Sequence, residues 1–236
     1  MSSGNLDSFI ISARPQPQPV ATSQEIRDRG SLFVATIYAA SSPAQAAAAI
    51  QHLSKVVHSD SQKPGPASHE MNAWRCMVLK EGCTGLSGPD DFEVRESSSD
   101  DGERWAGEKI LAILRTQGII DAALVVSRWY GGIMLGPARF SHIETCALEV
   151  CREFKRREEV KDALVTLRTL DDILTQLRDE LAASTRQASP KVKAPDYSGW
   201  IDWDLPKARR LIRARESAVN SVKELIARQQ QNAMQQ

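Results

Sequence analysis

Long hydrophobic runs are missing from this sequence. No stretch approaches the ~18–20 consecutive apolar residues that a membrane-spanning helix needs, so no membrane partner is expected. Charge of one sign is missing as well. Thirty Lys+Arg balance thirty Asp+Glu, for a net charge of zero. That excludes a chain that coats nucleic acid or anionic membrane with its whole surface, though not a local basic patch. Cysteine is scarce. Cys76, Cys83, Cys146 and Cys151 form no CxxC pair, and Cys146 and Cys151, five apart on a predicted helix, are expected to point apart. The thiols read as reduced and inert, as in a cytoplasmic protein, with the nucleus as second compartment. Met1–Val20 has no basic segment followed by an apolar core, so no secretory signal is read there. No His/Cys spacing fits a zinc site, and no Ser is flanked as a nucleophile elbow. No catalytic residue, metal or cofactor is therefore expected.

What is present is 236 residues, 42% of them hydrophobic, enough for one compact domain with appendages. Residues 1–29 read as a disordered Pro/Gln-rich N-terminus, with Pro15, Pro17 and Pro19 favouring extended chain. Residues 30–157 read as the domain. Ser31–Tyr38 is rich in β-branched and aromatic residues and predicts a strand. Ser42-Pro43 then opens a helix, serine as the cap and proline at the first position, with Ala46, Ile50, Leu53 and Val57 inward. Met71–Leu79 predicts a second strand. Residues 81–103 hold eight acidic residues against one arginine. A helix is expected from about Asp101 to Thr116, closed by Gly118. Ile119–Ser127 is nearly all apolar and predicts a strand buried on both faces. A glycine-rich loop follows at 128–136, and Pro137 starts a helix with Phe140, Ile143, Ala147, Val150 and Phe154 inward. Beyond it, residues 158–183 form an amphipathic helix on a heptad-like seam from Val160 to Leu181. Residues 184–203 read as a linker. Residues 204–236 form an amphipathic basic helix with five basic residues between Lys207 and Arg215. The last two helices suggest a helical hairpin or a docking element.

Two constellations carry chemistry. Asp100-Asp101-Gly102-Glu103 is either a carboxylate cluster able to hold Mg²⁺ or a capping box, with Asp100 accepting first-turn amides and Glu103 reaching back. In the loop, Gly131, Gly132 and Gly136 either let backbone amides approach an anion, helped by Arg128 and Arg139, or make a tight strand-to-helix turn with Trp129 and Tyr130 as lids. It is neither GxGxxG nor a Walker loop.

Val126-Ser-Arg-Trp-Tyr-Gly-Gly-Ile-Met-Leu-Gly-Pro-Ala-Arg-Phe-Ser-His-Ile143 resembles the signature of the Impact family. Ser31-Leu-Phe-Val-Ala35, His69-Glu-Met-Asn-Ala-Trp-Arg75 and Asp100-Asp-Gly-Glu-Arg-Trp-Ala-Gly107 resemble its other motifs, and all arrive in order. The resemblance implies an α+β domain: a four-stranded, mostly antiparallel sheet with helices on one face, like a ribosomal-protein second domain, plus the C-terminal helical tail. It implies a regulator without enzymatic activity, acting in translational control through the general amino-acid control kinase pathway. The protein partner would be the kinase's ribosome-associated activator, with actin as another. Relatives of this type carry an RWD domain ahead of the Impact domain; thirty residues precede Ser31 here, so a lone Impact domain with its own tail is expected.

The ligand- or partner-binding set is therefore His69, Arg75, Asp100, Asp101, Gly102, Glu103, Gly107, Arg128, Trp129, Tyr130, Gly131, Gly132, Gly136 and Arg139. Two other function classes stand beside the regulator: an RNA or nucleotide-phosphate binder, and a metal-dependent hydrolase built on the carboxylates. Sequence order is expected to put the Asp100–Glu103 segment at the sheet edge opposite Arg128. The shared motif set argues that they meet. The expectation is an ion pair between Arg128 and a carboxylate of Asp100–Glu103 or Glu108.

Overall fold

The structure is a computed structural model that describes residues 16–59, 65–185, 195, 197 and 205–234. Residues 16–155 fall in one compact unit and residues from 156 onward in a second.

In the first unit the strands are β1 Pro19–Thr22, β2 Ile26–Asp28, β3 Ser31–Ala39, β4 His69–Leu79, β5 Phe92–Ser99 and β6 Ala122–Trp129. All pairs are antiparallel, in the order β1-β3-β6-β4-β5, and β2 also pairs β3. The sheet thus has six strands, not the four that the resemblance implies. β1 and β2 together make one broken edge strand along β3. Ser23 fills the break: its N–H donates to the Ala35 carbonyl at 2.8 Å and its Oγ accepts from the Ala35 N–H at 2.9 Å. Order therefore begins well before Gly30; of the N-terminus read as disordered, residues 1–15 lie outside the described residues. β5 is polar and exposed on alternate positions, which hides it among loop residues in the sequence.

β6 is central and buried on both faces, as its composition demands. Its alternation sorts the core. Ala122, Leu124 and Val126 face one layer with Phe33, Ala35, Ile37, Met71 and Ala73. On that layer lie α2 (Ala106–Thr116) and the first part of α3 (Ala138–Thr185), through Ile110, Leu114, Ile143, Ala147 and Val150. Cys146 and Cys151 both belong to this core, and both are free thiols. Val125 and Ala123 face the other layer, against Ala49, Leu53 and Ala46 of α1 (Pro43–His52) and the π turn after it. Helices therefore cover both faces, not one. α1 starts as predicted: Ser42 Oγ accepts from the Gln45 N–H and Pro43 takes the first turn. Val57, expected inward, is exposed.

The second unit holds the rest of α3 and α4 (Leu205–Met234). α3 is one 48-residue helix, so nothing breaks near residue 157. Val160, Ala163, Leu167 and Leu174 of the seam are buried, with Ala208, Val219 and Ile226 of α4. Cross-helix contacts are Arg209–Glu159 at 3.4 Å, Arg215–Asp171 at 2.5 Å and Ser184–Gln229 at 2.7 Å. Numbers rise together on both helices, so they run parallel, whereas a hairpin would be antiparallel. Most of the expected linker, 184–203, lies outside the described residues.

Candidate functional site

The site forms where β6 ends. Positions alternate along a strand, so Arg128 follows Leu124 and Val126 into the layer beneath α2 and α3. It belongs to β6, not to the loop, and is 5% exposed. The register puts Phe33 on one side of Arg128 and His69 on the other. The guanidinium lies 5.4 Å from the Phe33 ring centre and 5.4 Å from that of Tyr130.

A cation so buried needs a counter-charge. Glu103 supplies it, at 5% exposure, through a direct Arg128 NH1 to Glu103 Oε1 bond. The expected ion pair is present. Chain order does not separate the two residues as expected. α2 is joined to β6 by the short segment 117–121 and runs antiparallel to it, so the helix N-terminus lies beside the strand's C-terminal end. Gly118 (φ +64°) makes that reversal, with its N–H on Arg115 and that of Ile119 on Leu114.

Glu103 also meets Arg139, whose Nε lies 2.7 Å from Oε2. The Nε–H is not aimed at the oxygen, so this is an ion pair without an aligned hydrogen bond. Arg139 NH1 donates to the Gly136 carbonyl at 3.0 Å. His69 Nε2 lies 3.6 Å from Glu103, and His69 Nδ1 lies 2.8 Å from the Asp101 carbonyl. That carbonyl can only accept, so the Nδ1 proton is assigned to it. Burial first, then the Arg139 charge, draw the Arg128 pKa below its ordinary value. Glu103 is the counter-charge beside the buried guanidinium.

The other carboxylates hold backbone. Asp100 accepts from the Trp105 N–H at 2.9 Å and the Gly107 N–H at 2.8 Å. Asp101 accepts from the Glu70 N–H at 2.6 Å. Half of the capping-box reading survives: Asp100 caps, while Glu103 turns away to Arg128, and α2 begins at Ala106 rather than near Asp101. Asp101 (φ +43°) and Gly102 (φ +86°) make the turn. A Cβ on Gly102 would sit 3.0 Å from His69 Nδ1, so the histidine can close only on glycine.

His69, Gly102, Glu103, Arg128, Arg139 and Gly136 line a cleft of about 370 Å³, completed by Tyr130, Met134 and Leu135. Met134 is 81% exposed, and Tyr130 and Ile133 are about half exposed. Met134 and Leu135 were not among the predicted site residues. An exposed methionine between the two glycines at 132 and 136 was the available signal. Seven predicted residues do not line the cleft: Asp100 and Asp101, which hold backbone, and Arg75, Gly107, Trp129, Gly131 and Gly132. Arg75 sits six positions along β4 from His69, roughly 20 Å away; it bonds Glu96 at 2.9 Å and the Ile119 carbonyl at 3.0 Å. Trp129 points to the opposite face, donating to the Gly65 carbonyl at 2.9 Å, edge-on to His58. Gly131 packs on the Gly30–Ser31 backbone, where a Cβ would collide. Gly107 serves as the amide that Asp100 holds. Gly132 (φ +85°) turns the loop.

Among the described residues no three His, Cys, Asp or Glu side chains are placed to share a metal ion. No described helix is long and apolar enough to cross a membrane.

Fold and site together define a small α+β domain with an antiparallel sheet and an Arg128–Glu103 pair buried beside a glycine loop. Residues 29–151, just over half the chain, match the Impact N-terminal domain family, and the chain belongs to it. It is 34% identical to Protein IMPACT-A of Xenopus tropicalis over 58% of this chain and 38% of that one. It is 35% identical to the Protein IMPACT homolog of Saccharomyces cerevisiae over 54% of this chain and 43% of that one. Thus the chain spans about two fifths of the length of these curated relatives. Among solved structures, the two-domain translational regulator Yih1 is 30% identical, over 64% of this chain and 52% of that one, with a TM-score of 0.34. A crystal structure of a hypothetical protein is 26% identical, over 59% of each chain, with a TM-score of 0.40.

Proposed function

We propose that this chain is a regulator of translation that works by protein–protein contact, with the Arg128–Glu103 cleft and its apolar rim as the contact surface. The observation that carries this reading is how the charged groups are spent. Asp100 and Asp101 are tied to backbone amides, and Glu103 is tied to two arginines. What remains for a partner is a rim of Tyr130, Ile133 and Met134 around a cationic floor. Apolar side chains held out in water at a cleft mouth mark contact sites. A relative described as a translational regulator supports the setting. The family resemblance supplies the partner class, the ribosome-associated activator of the general amino-acid control kinase, with actin second. The setting is cytoplasmic, with the nucleus as second compartment.

The test is capture by the purified chain from starved-cell lysate. Recovery of the activator or of ribosomes is expected, and M134D should abolish it without changing the melting midpoint. Recovery of neither by the wild-type chain would sink the reading.

A second reading rests on charge. Arg128 and Arg139 face one carboxylate, Glu103, leaving the cleft floor one positive charge in excess. A phosphate of RNA or of a nucleotide suits that excess. RNA affinity falling steeply with salt, and lost in R139Q, would favour it. The hydrolase reading has no comparable support, since the three carboxylates diverge to separate partners.

A further inference from the structure

We propose that β5 is a self-association edge: two copies of this chain pair antiparallel through Phe92–Glu96, about a two-fold axis at Val94. β5 hydrogen-bonds to β4 on one side and, among the described residues, to no strand on the other. Such an edge offers a row of backbone donors and acceptors to another strand.

Two features select a second copy as the occupant. The first is an apolar block. Met77 lies directly opposite Val94, and Leu79 directly opposite Phe92, on one face of the ribbon. All four are 37–42% exposed, past the end of α2. Side chains that stand unpacked on an open edge lose water-exposed surface when an equivalent block is set beside them. The second is charge register. A two-fold axis perpendicular to the sheet keeps like faces together and allows only registers centred on a residue. Centring on Glu93 sets glutamate against glutamate. Centring on Arg95 sets arginine against arginine, and Glu96 again sets like against like. Centring on Val94 sets Glu93 against the partner's Arg95 and Arg95 against the partner's Glu93; on the other face valine meets valine, and Phe92 falls opposite the partner's Glu96, whose carboxylate Arg75 and Arg115 already hold, and diagonal to the partner's Val94. Opposite charges directly across a ladder stabilise it and like charges oppose it. Within one chain Glu93 and Arg95 already pair at 2.8 Å; in the dimer they become an alternating row of four charges. Charged side chains and proline blunt an edge; between residues 92 and 99 there is no proline, and the charges alternate in sign, so they select a register rather than repel every partner.

Sedimentation of the full chain tests the proposal. A concentration-dependent monomer–dimer equilibrium is expected. E93R and R95E should each weaken it at least tenfold, since every cross-strand charge pair becomes like-signed. An equimolar mixture of the two variants should associate again, because arginines of one then face glutamates of the other. V94C should cross-link under oxidised glutathione through the introduced thiol, whereas S97C should not. Both are surface changes, and unaltered melting midpoints show that each variant folds. A wild-type chain that stays monomeric up to several hundred micromolar overturns the proposal. So does a dimer that both charge reversals leave intact, or a mixture that fails to associate.

Discussion

Helix α2 has an arginine–glutamate centre at each end, and the two do different work. At the C-terminal end Arg75 bonds Glu96 and reaches the Leu114 and Ile119 carbonyls, while Arg115 takes the other Glu96 oxygen. The Leu114 carbonyl lies in the last turn of α2 and that of Ile119 just beyond Gly118, so the guanidinium ties the helix end to the segment that leads into β6. At the N-terminal end Arg128 meets Glu103, a second arginine and a histidine, under a cleft. Both arginines sit on the face covered by α2 and α3, one on β4 and one on β6. The difference lies in what the backbone leaves over. Arg75 finds acceptors for its donors, whereas Arg128 Nε has none. The first centre completes itself as a clamp; the second leaves one buried donor, Arg128 Nε, without an acceptor among the described residues.

The largest effect that separates the two centres is expected from Glu103→Gln. It leaves Arg128 buried without a counter-charge, a cost of about 3–5 kcal/mol. Chemical denaturation measures it. Replacing both partners, R128M with E103L, should recover most of that loss, because two apolar groups need no desolvation offset. A double variant as unstable as Glu103→Gln would mean that packing, not charge, holds the site.

Next in size is Gly131→Ala. A Cβ there collides with the Gly30 and Ser31 backbone, and a forced shift of two packed backbones costs about 2 kcal/mol or more. Gly132→Ala meets no atom but sits at φ +85°, a strain of about 1 kcal/mol. If the two variants melt alike, the close approach between strand and loop is not what holds the cleft rim.

How much of this was legible in the sequence depends on the range of the interaction. The β6 run and the Ser42-Pro43 cap are local patterns, and both were read correctly. The meeting of Arg128 with Glu103 was readable from motif order, against a mistaken account of which helix end faces which strand end. Three strands were missed. Pro19–Thr22 and Ile26–Asp28 are too short to show a period, and Phe92–Ser99 is an edge with polar residues on both faces, so alternation carries no signal. The orientation of Trp129 was missed because Arg128 was placed in the loop. Once both are in the strand, parity alone sends them to opposite faces.

The clamp end should respond more weakly than the cleft end. Arg75→Ala removes a donor from the Leu114 and Ile119 carbonyls and from one Glu96 oxygen, but the Ile119 N–H remains on Leu114 and Arg115 on Glu96, so a loss of about 1–2 kcal/mol is expected. Partner capture should not change, since the side chain is remote from the cleft. The hydrogen bond from Arg115 holds the Glu96 carboxyl below its usual value of 4.5, with burial opposing and Arg75 adding to it. A carboxyl with a lowered folded pKa contributes stability above its unfolded value, lost as pH falls through the folded one. The gap between wild type and E96Q should therefore be full above pH 4.5 and close below it. A gap that persists in acid would assign the effect to packing.

The smallest effect sharpens the cleft end from beneath. Asp28 of β2 accepts from Arg29 and lies 2.9 Å from His142 Nε2 on α3. The His142 ring lies 5.3 Å from that of Phe33, the ring over which Arg128 also sits. β2 is thus pinned to the helix that carries Arg139. The Arg29 hydrogen bond, then that of His142, draw the Asp28 pKa from 3.8 to about 2. Because the folded pKa is the lower one, this pin stabilises fully above pH 3.8 and is lost as pH falls towards 2. Asp28 is solvent-exposed, so D28N should shift the melting midpoint only slightly at neutral pH, and the shift should vanish near pH 2. The sharper readout is the Asp28 carboxyl carbon by NMR, with a midpoint near 2 in the wild type that rises in R29Q and, by less, in H142Q. A midpoint near 3.8 in the wild type would show that the pin does not form, and that Phe33 alone supports Arg128 from that side.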